Sequence, residues 1–290
     1  MYLSTQTSGV CSRFGFEAGV KILHDAGYDF LDYSMFDMVS DASALVQPDW
    51  REVTERRKKY CDENGIFFNQ SHAPFSFNWA NPEICEKVAK PRIEQSIEIA
   101  GMMGVRVAIV HPLHWFPYKG FEKEAREMNL AYYRGLIPVA RNAGVKIGFE
   151  NMWQKEVKRK CISDDVGSRA ADLASYIDEI DSEWVTACLD LGHVSLIGEE
   201  AEDAIRLLGH DRLGALHVHD NSYTGDDHLL PGQGKMNWDA IMAALKEIDY
   251  TGDFTYEADG FLRNWKNDYI PQAVKFMEQT GRYLLAKIGE

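Results

Sequence analysis

Short apolar runs alternate with helical segments along the whole chain. At several junctions a helix ends in Gly or Asn-Gly and an apolar run starts at once: DAGYDFLDYS, ENGIFFNQSH, MMGVRVAIVH and NAGVKIGFEN. Glycine suits the left-handed C-cap of a helix. The runs that follow are continuous rather than alternating, as in parallel strands covered on both faces. The pattern predicts strands near 2–6, 28–33, 66–71, 105–110, 145–149, 184–189, 212–218 and 252–257. It predicts helices near 14–26, 49–63, 82–102, 121–142, 168–180, 199–208, 238–248 and 268–286. Eight strand–helix units with no break in composition predict an α/β fold, a single closed (β/α)8 barrel over residues 1–290. The alternative is a doubly wound open sheet. The number of units and the lack of a glycine-rich phosphate loop after the first strand count against it.

Two polar loops stand out, NMWQKEVKRKCISDDVG at 151–167 and DNSYTGDDHLLPGQGKMN at 220–237. Long loops in compact domains are often functional. Both follow strands, which in a barrel puts them on the C-terminal face, where active sites sit.

The strand ends carry the candidate chemistry. Six successive strands finish at or beside His72, His111, Glu150, Asp190, His217 and Glu257. A charge at the end of an apolar strand is costly unless it is solvated, paired or bound to metal. One such residue is ordinarily solvated, but six on the staves of one barrel converge on one mouth. Histidine, aspartate and glutamate are the types that bind divalent cations through nitrogen and oxygen. CLDLGH adds His193, three residues past Asp190, and DDHLLPGQG adds Asp226 and His228, which an exposed loop explains equally well. His219 is expected to point away from His217 and so to stay outside its ligand set. Aromatic residues near the mouth, Trp115 among them, can wall a sugar face or pack between loops.

Composition narrows the partners. A formal net charge of −14 argues against a non-specific grip on a polyanion, so nucleic acid is not an expected partner. The basic run from Lys155 to Lys160 reads as a solvated loop. No apolar stretch approaches the ~18 residues of a membrane span, and the first residues lack a basic region followed by an apolar run. Five scattered cysteines without a C-x-x-C pair fit reduced thiols in a cytoplasmic protein, and argue against a disulfide framework or a thiolate zinc site.

Several motifs together resemble the xylose-isomerase-like TIM barrels, the superfamily of sugar-phosphate isomerases/epimerases and class II AP endonucleases. They are SHAPF around His72, VHP at His111, FEN at Glu150, LDLGH at Asp190 and His193, LHVHD at His217, and the run from Asp226 to Glu257. The resemblance spans nearly the whole chain. In the keto-sugar branch it implies one divalent metal on Glu150, Asp190, His217 and Glu257, with His193 on the substrate oxygens. Glu156, six residues past Glu150, matches a substrate-contacting acid by spacing. Tyr223 stands where those epimerases carry an arginine, a departure from their pattern. The endonuclease branch implies three zinc ions on His72, His111, Glu150, Asp190, His193, His217, Asp226, His228 and Glu257, and all nine types are present. Its loop sequences do not match.

The activity implied is a metal-dependent sugar or sugar-phosphate isomerase/epimerase. Glu150 and Glu257 would transfer a proton next to a carbonyl through a metal-stabilised enediolate. Three carboxylates and one imidazole favour Mn²⁺, Mg²⁺ or Co²⁺, and further histidines favour Zn²⁺; one to three ions fit. His193, Glu156 and Trp115 are the expected substrate contacts, on a sugar or polyol, and a homo-oligomer stays open. The alternatives are an inosose-type dehydratase, a three-zinc AP endonuclease and a non-catalytic sugar-binding barrel.

Overall fold

The computed structural model describes residues 1–289. Its strands in chain order are β1 (Leu3–Thr5), β2 (Leu31–Ser34), β3 (Phe68–His72), β4 (Val107–Val110), β5 (Lys146–Glu150), β6 (Trp153–Glu156), β7 (Cys161–Asp164), β8 (Val185–Asp190), β9 (Leu213–His217) and β10 (Phe254–Tyr256). Six of them form one parallel sheet in the order β2-β3-β4-β5-β8-β9, and β1 pairs in parallel with β10. Single bridges from Gln6 to Asp32 and from Val218 to Tyr256 join that pair to both edges of the sheet. The result is a ring of eight parallel staves, the TIM-barrel architecture.

Helices cover the outside: α1 (Ser8–Phe14), α2 (Phe16–Ala26), α3 (Trp50–Glu63), α4 (Lys90–Met103), α5 (Glu122–Ala143), α6 (Ala170–Ile180), α7 (Leu191–Leu196), α8 (Ala201–Arg212), α9 (Trp238–Glu247) and α10 (Ile270–Gly289). The glycine stops work as predicted at Gly104 and Gly144, which cap α4 and α5 in the left-handed conformation at φ 80° and 69°. The core between strands and helices is apolar and closely filled, with Tyr133, Phe149 and Tyr176 stacked or tilted against one another. Each large side chain buried there contributes about 1.5–3 kcal/mol. Inside the barrel the apolar filling is small, with Ile109, Cys188 and Ala215 forming a separate cluster. Buried polar residues take much of the remaining interior, Thr255 facing Gln70 across the barrel at 3.4 Å.

Two elements differ from the sequence pattern. The predicted first helix forms as α2, and an unpredicted helix, α1, precedes it, the two parted at Gly15 with its φ of 79°. The stretch 151–167 is not a plain loop: β6 and β7 pair as an antiparallel hairpin over the C-terminal mouth side. Among the described residues no helix is long and apolar enough to cross a membrane. All five cysteines are free thiols.

Candidate metal centre

The staves deliver the strand-end residues to one place. His217 Nδ1 lies 2.9 Å from Glu150 Oε1, 3.1 Å from Glu257 Oε2 and 3.9 Å from Asp190 Oδ2. One donor atom from each of Glu150, Asp190, His217 and Glu257 falls within 4.8 Å of the others. The other oxygen of Glu150 faces His111 Nε2 at 3.0 Å and His72 Nε2 at 3.5 Å. A further cluster lies beside Asp190. There Asp226 Oδ2 is 3.5 Å from His193 Nε2 and 3.3 Å from His228 Nε2. All nine strand-end and loop residues singled out as possible ligands therefore stand in one connected nest.

Hydrogen bonding fixes the rings. His72 Nδ1 faces the Ala73 carbonyl at 2.8 Å, His193 Nδ1 the Asn151 carbonyl at 2.8 Å, and His228 Nδ1 the Glu257 carbonyl at 2.6 Å. A carbonyl only accepts, so each Nδ1 carries a hydrogen and donates. In a neutral ring Nε2 is then a lone pair, and in all three it points at a carboxylate oxygen. Two lone pairs face each other at such distances only when a positive charge lies between them, either a second proton or a metal ion.

The electrostatics tell the same story. Burial opposes charge on His217 and His228, yet the surrounding carboxylates push both up to about 10. Burial would raise Glu150, but His217 and His111 hold it well below the ordinary carboxylate range. His111 goes the other way: burial pushes it down to about 4, and its Nδ1 has no partner. The nest thus concentrates carboxylates around imidazoles. Its donors are oxygen and imidazole nitrogen, as hard or borderline divalent ions require. The buried Cys188 thiol is pushed up by burial and is no thiolate ligand.

Outer contacts hold the ligands in place. Asp190 caps α7 by accepting from His193 N at 2.7 Å, and the Asn151 amide pins the Asp190 backbone on both sides at 2.6 and 3.1 Å. Asp220, fully buried, organises the loop that carries Asp226 and His228. It accepts from the backbone N–H groups of Asn221, Gly232, Gly234 and Met236 and from Trp238 Nε1, at 2.8–3.2 Å.

His219 and Glu156 sit differently from expectation. His219 stays apart from the His217 ligand set, but it is not outside the site. Strand β9 stops at His217 and the chain continues by isolated bridges. His219 Nε2 therefore reaches both Asp190 oxygens at 3.0 and 3.2 Å, and its ring stacks on His228 at 4.2 Å. Glu156 is spent on its own hairpin turn, accepting from the N–H groups of Lys158 and Arg159 at 3.1 and 2.7 Å, and is not among the clustered ligands. Trp115 is 42% exposed and stacks on Trp79 at 6.4 Å. A pair not seen in the sequence, His114 and Asp165, joins the β4–α5 loop to the end of the hairpin at 3.0 Å, with the carboxylate buried. Only their spacing across two loops could have suggested it, and that spacing is uninformative without the fold.

Comparison with known proteins places these features in context. Residues 20–280 match the family model described as xylose isomerase-like TIM barrel. The chain is 31% identical over 262 residues to an uncharacterized protein of Methanocaldococcus jannaschii, covering 87% of this chain and 81% of that one. It is 31% identical over 121 residues to the D-psicose 3-epimerase of Enterocloster bolteae, covering 41% of this chain and 35% of that one. Among solved structures, a D-tagatose 3-epimerase-like protein aligns with TM-score 0.75 at 21% identity over 99% of this chain and 100% of that one. An IolI protein solved with a zinc atom aligns with TM-score 0.77 at 17% identity over 99% of both chains. At those identities both show the fold.

Proposed function

The chain belongs to the xylose isomerase-like TIM-barrel family, and within it we propose a divalent-metal-dependent sugar or sugar-phosphate isomerase or epimerase. What supports this most is the placement of two carboxylates, Glu150 and Glu257, from staves β5 and β10, both within 3.1 Å of the same His217 nitrogen. A binding site needs one such acid, whereas moving a proton on and off a carbon needs two that can reach different faces.

Glu150, Asp190, His217 and Glu257 would hold the cation, which supplies Lewis-acid polarisation of a carbonyl and its neighbouring hydroxyl. One of Glu150 and Glu257 takes the proton from the carbon next to the carbonyl, and the other returns one. Return to the opposite face inverts that carbon. Return to the neighbouring carbon isomerises the sugar. General acid–base assistance of this kind is typically worth about 10²–10⁴ in rate. His193, fixed through Nδ1, presents Nε2 to substrate oxygens, and the exposed ring of Trp115 offers an apolar face to the sugar. The substrate class is a sugar or polyol, the protein one barrel domain of the cytoplasm.

The test is elemental analysis of the purified protein followed by deuterium uptake from D₂O into D-psicose, D-tagatose and L-ribulose, read by NMR. Deuterium at a single carbon next to the carbonyl is expected, and Glu257→Gln should abolish it. Metal-loaded protein that exchanges no proton across a wider ketose and polyol panel would count heavily against the reading. A second reading, a three-zinc phosphodiesterase, draws on the His193–Asp226–His228 cluster. It requires about three zinc ions per chain and cleavage of an abasic duplex, and a chain of net charge −14 is poorly suited to that partner.

A further inference from the structure

The β4–α5 loop carries another imidazole to the C-terminal mouth. His114 stands four residues past Val110, the end of β4. Its ring lies 6.2 Å from that of His111, edge to face, and His111 Nε2 is itself 3.0 Å from Glu150 Oε2. His114 therefore flanks the carboxylate nest on its β4 side.

One edge of this ring is fixed. His114 Nδ1 lies 3.0 Å from Asp165 Oδ2, on a carboxylate that is 1% exposed and pairs with no lysine or arginine among the described residues. The other oxygen, Oδ1, accepts from Val166 N at 2.8 Å. A carboxylate only accepts, so Nδ1 carries a hydrogen and donates it. In the neutral ring Nε2 is then a lone pair. That nitrogen makes no hydrogen bond or ion pair among the described residues, and the side chain is 31% exposed. Holding the hairpin takes one edge of the ring. The opposite edge is an acceptor of set orientation, open beside the nest and next in the chain to the exposed ring of Trp115. A few fixed polar groups beside aromatic surface are what orients a small ligand in a pocket. A sugar offers both halves of that match, hydroxyl hydrogens along an edge and C–H groups on a face.

We propose that His114 contacts the substrate, its Nε2 accepting a hydroxyl of the sugar chain beyond the two oxygens on the metal, with Asp165 as the residue that positions it. The contact presupposes that the mouth takes a sugar. It narrows the substrate to ketoses that carry a further hydroxyl past the carbonyl and its neighbouring hydroxyl.

Asp165→Asn separates this contact from a structural tie. Oδ1 stays on Val166 N, so the new amide turns its NH₂ towards His114 Nδ1. The hydrogen bond survives with its direction reversed, and the ring hydrogen moves to Nε2, which then donates instead of accepting. Tryptic cleavage at Lys155–Lys160 should keep its wild-type rate, showing the hairpin still held. Full-length protein loaded with diamagnetic Mg²⁺ or Zn²⁺ is compared as wild type, Asp165→Asn and His114→Gln on D-psicose, D-tagatose and L-ribulose. KM for deuterium exchange should rise about threefold to tenfold in both variants, the loss of one hydrogen bond, with kcat changing far less. A readout independent of turnover is the ¹H–¹⁵N NMR spectrum of the histidine rings, with His114 assigned by its absence in His114→Gln. Saturation with a ketose should move the wild-type Nε2 signal while Nδ1 stays protonated. A ketose that binds or exchanges without moving that signal, or an unchanged KM in Asp165→Asn, would overturn the contact and leave the isomerase reading standing. A moved signal without deuterium exchange would keep the contact and sink the isomerase reading. No saturable calorimetric heat with any ketose or polyol of the wider panel would overturn both.

Discussion

Gly192 lies between Asp190 and His193 with its backbone against the fully buried imidazole of His219. A Cβ added there would overlap Cε1 of that ring and sit 2.5 Å from Nε2 and 2.6 Å from Nδ1. The ring cannot step aside freely. It stacks on His228 with centroids 4.2 Å apart and planes 11° from parallel, and Nε2 is held at 3.0 and 3.2 Å by the two Asp190 oxygens. Gly192→Ala therefore overpacks a filled site, at about 1–3 kcal/mol. It also breaks a hydrogen bond to a charged group, at about 1.5–3 kcal/mol. A total of about 3–5 kcal/mol corresponds to a fall in Tm of about 5–15 °C for a chain of this size. The assay is urea denaturation beside a matched control, Gly135→Ala, where an added Cβ meets nothing within 4 Å on the exposed side of α5. The control should gain about 0.5–1 kcal/mol from the better helix former. Because Asp190 is the group His219 holds, metal stoichiometry should fall as well. A Gly192→Ala protein with wild-type stability and wild-type metal content would refute the packing account.

Other outcomes follow from the same geometry. Asp220→Asn turns part of an all-acceptor group into a donor facing five donors, so urea denaturation should show a loss of about 2–4 kcal/mol; an unchanged midpoint would mean that the clamp carries no energy. In metal-free protein His217 and His228 are pushed up to about 10. Their contribution to stability is then fully present below the ordinary histidine value of about 6.5 and is lost as pH rises towards 10. Chelated protein should weaken over that window. Metal binding near pH 7 should release protons and tighten with rising pH, visible as calorimetric heats that differ between buffers of different ionisation enthalpy; equal heats would contradict the assignment. His114→Ala cuts the tie to Asp165 and should speed tryptic cleavage in the hairpin turn at Lys155–Lys160 severalfold, and an unchanged cleavage rate would show that the pair does not hold the hairpin.

The fold was legible because its signals are local. Gly104 and Gly144 stop helices by a backbone conformation glycine tolerates, and each unbroken apolar run beyond them can only be a stave covered on both faces. The strand-end residues were legible for the same reason: His72, Glu150, Asp190 and His217 end their strands. His219 could not be placed from strand geometry, which sets positions two apart on one face and applies only while a strand lasts; β9 ends two residues earlier. Asp220 gave no sign of its role, since its donors come from positions up to 18 residues further along, brought back by a loop with no period. Glu156 matched by spacing alone, and spacing cannot foresee that a carboxylate will bond its own turn.

Glu150 turns one oxygen towards His217 and the other towards His72 and His111. Two guests sharing that carboxylate cannot arrive independently. The first draws electron density from the oxygen left for the second, and the second must approach a like charge. Were a cation to bind on each side of Glu150, the two would load anti-cooperatively, sharing one carboxylate between them.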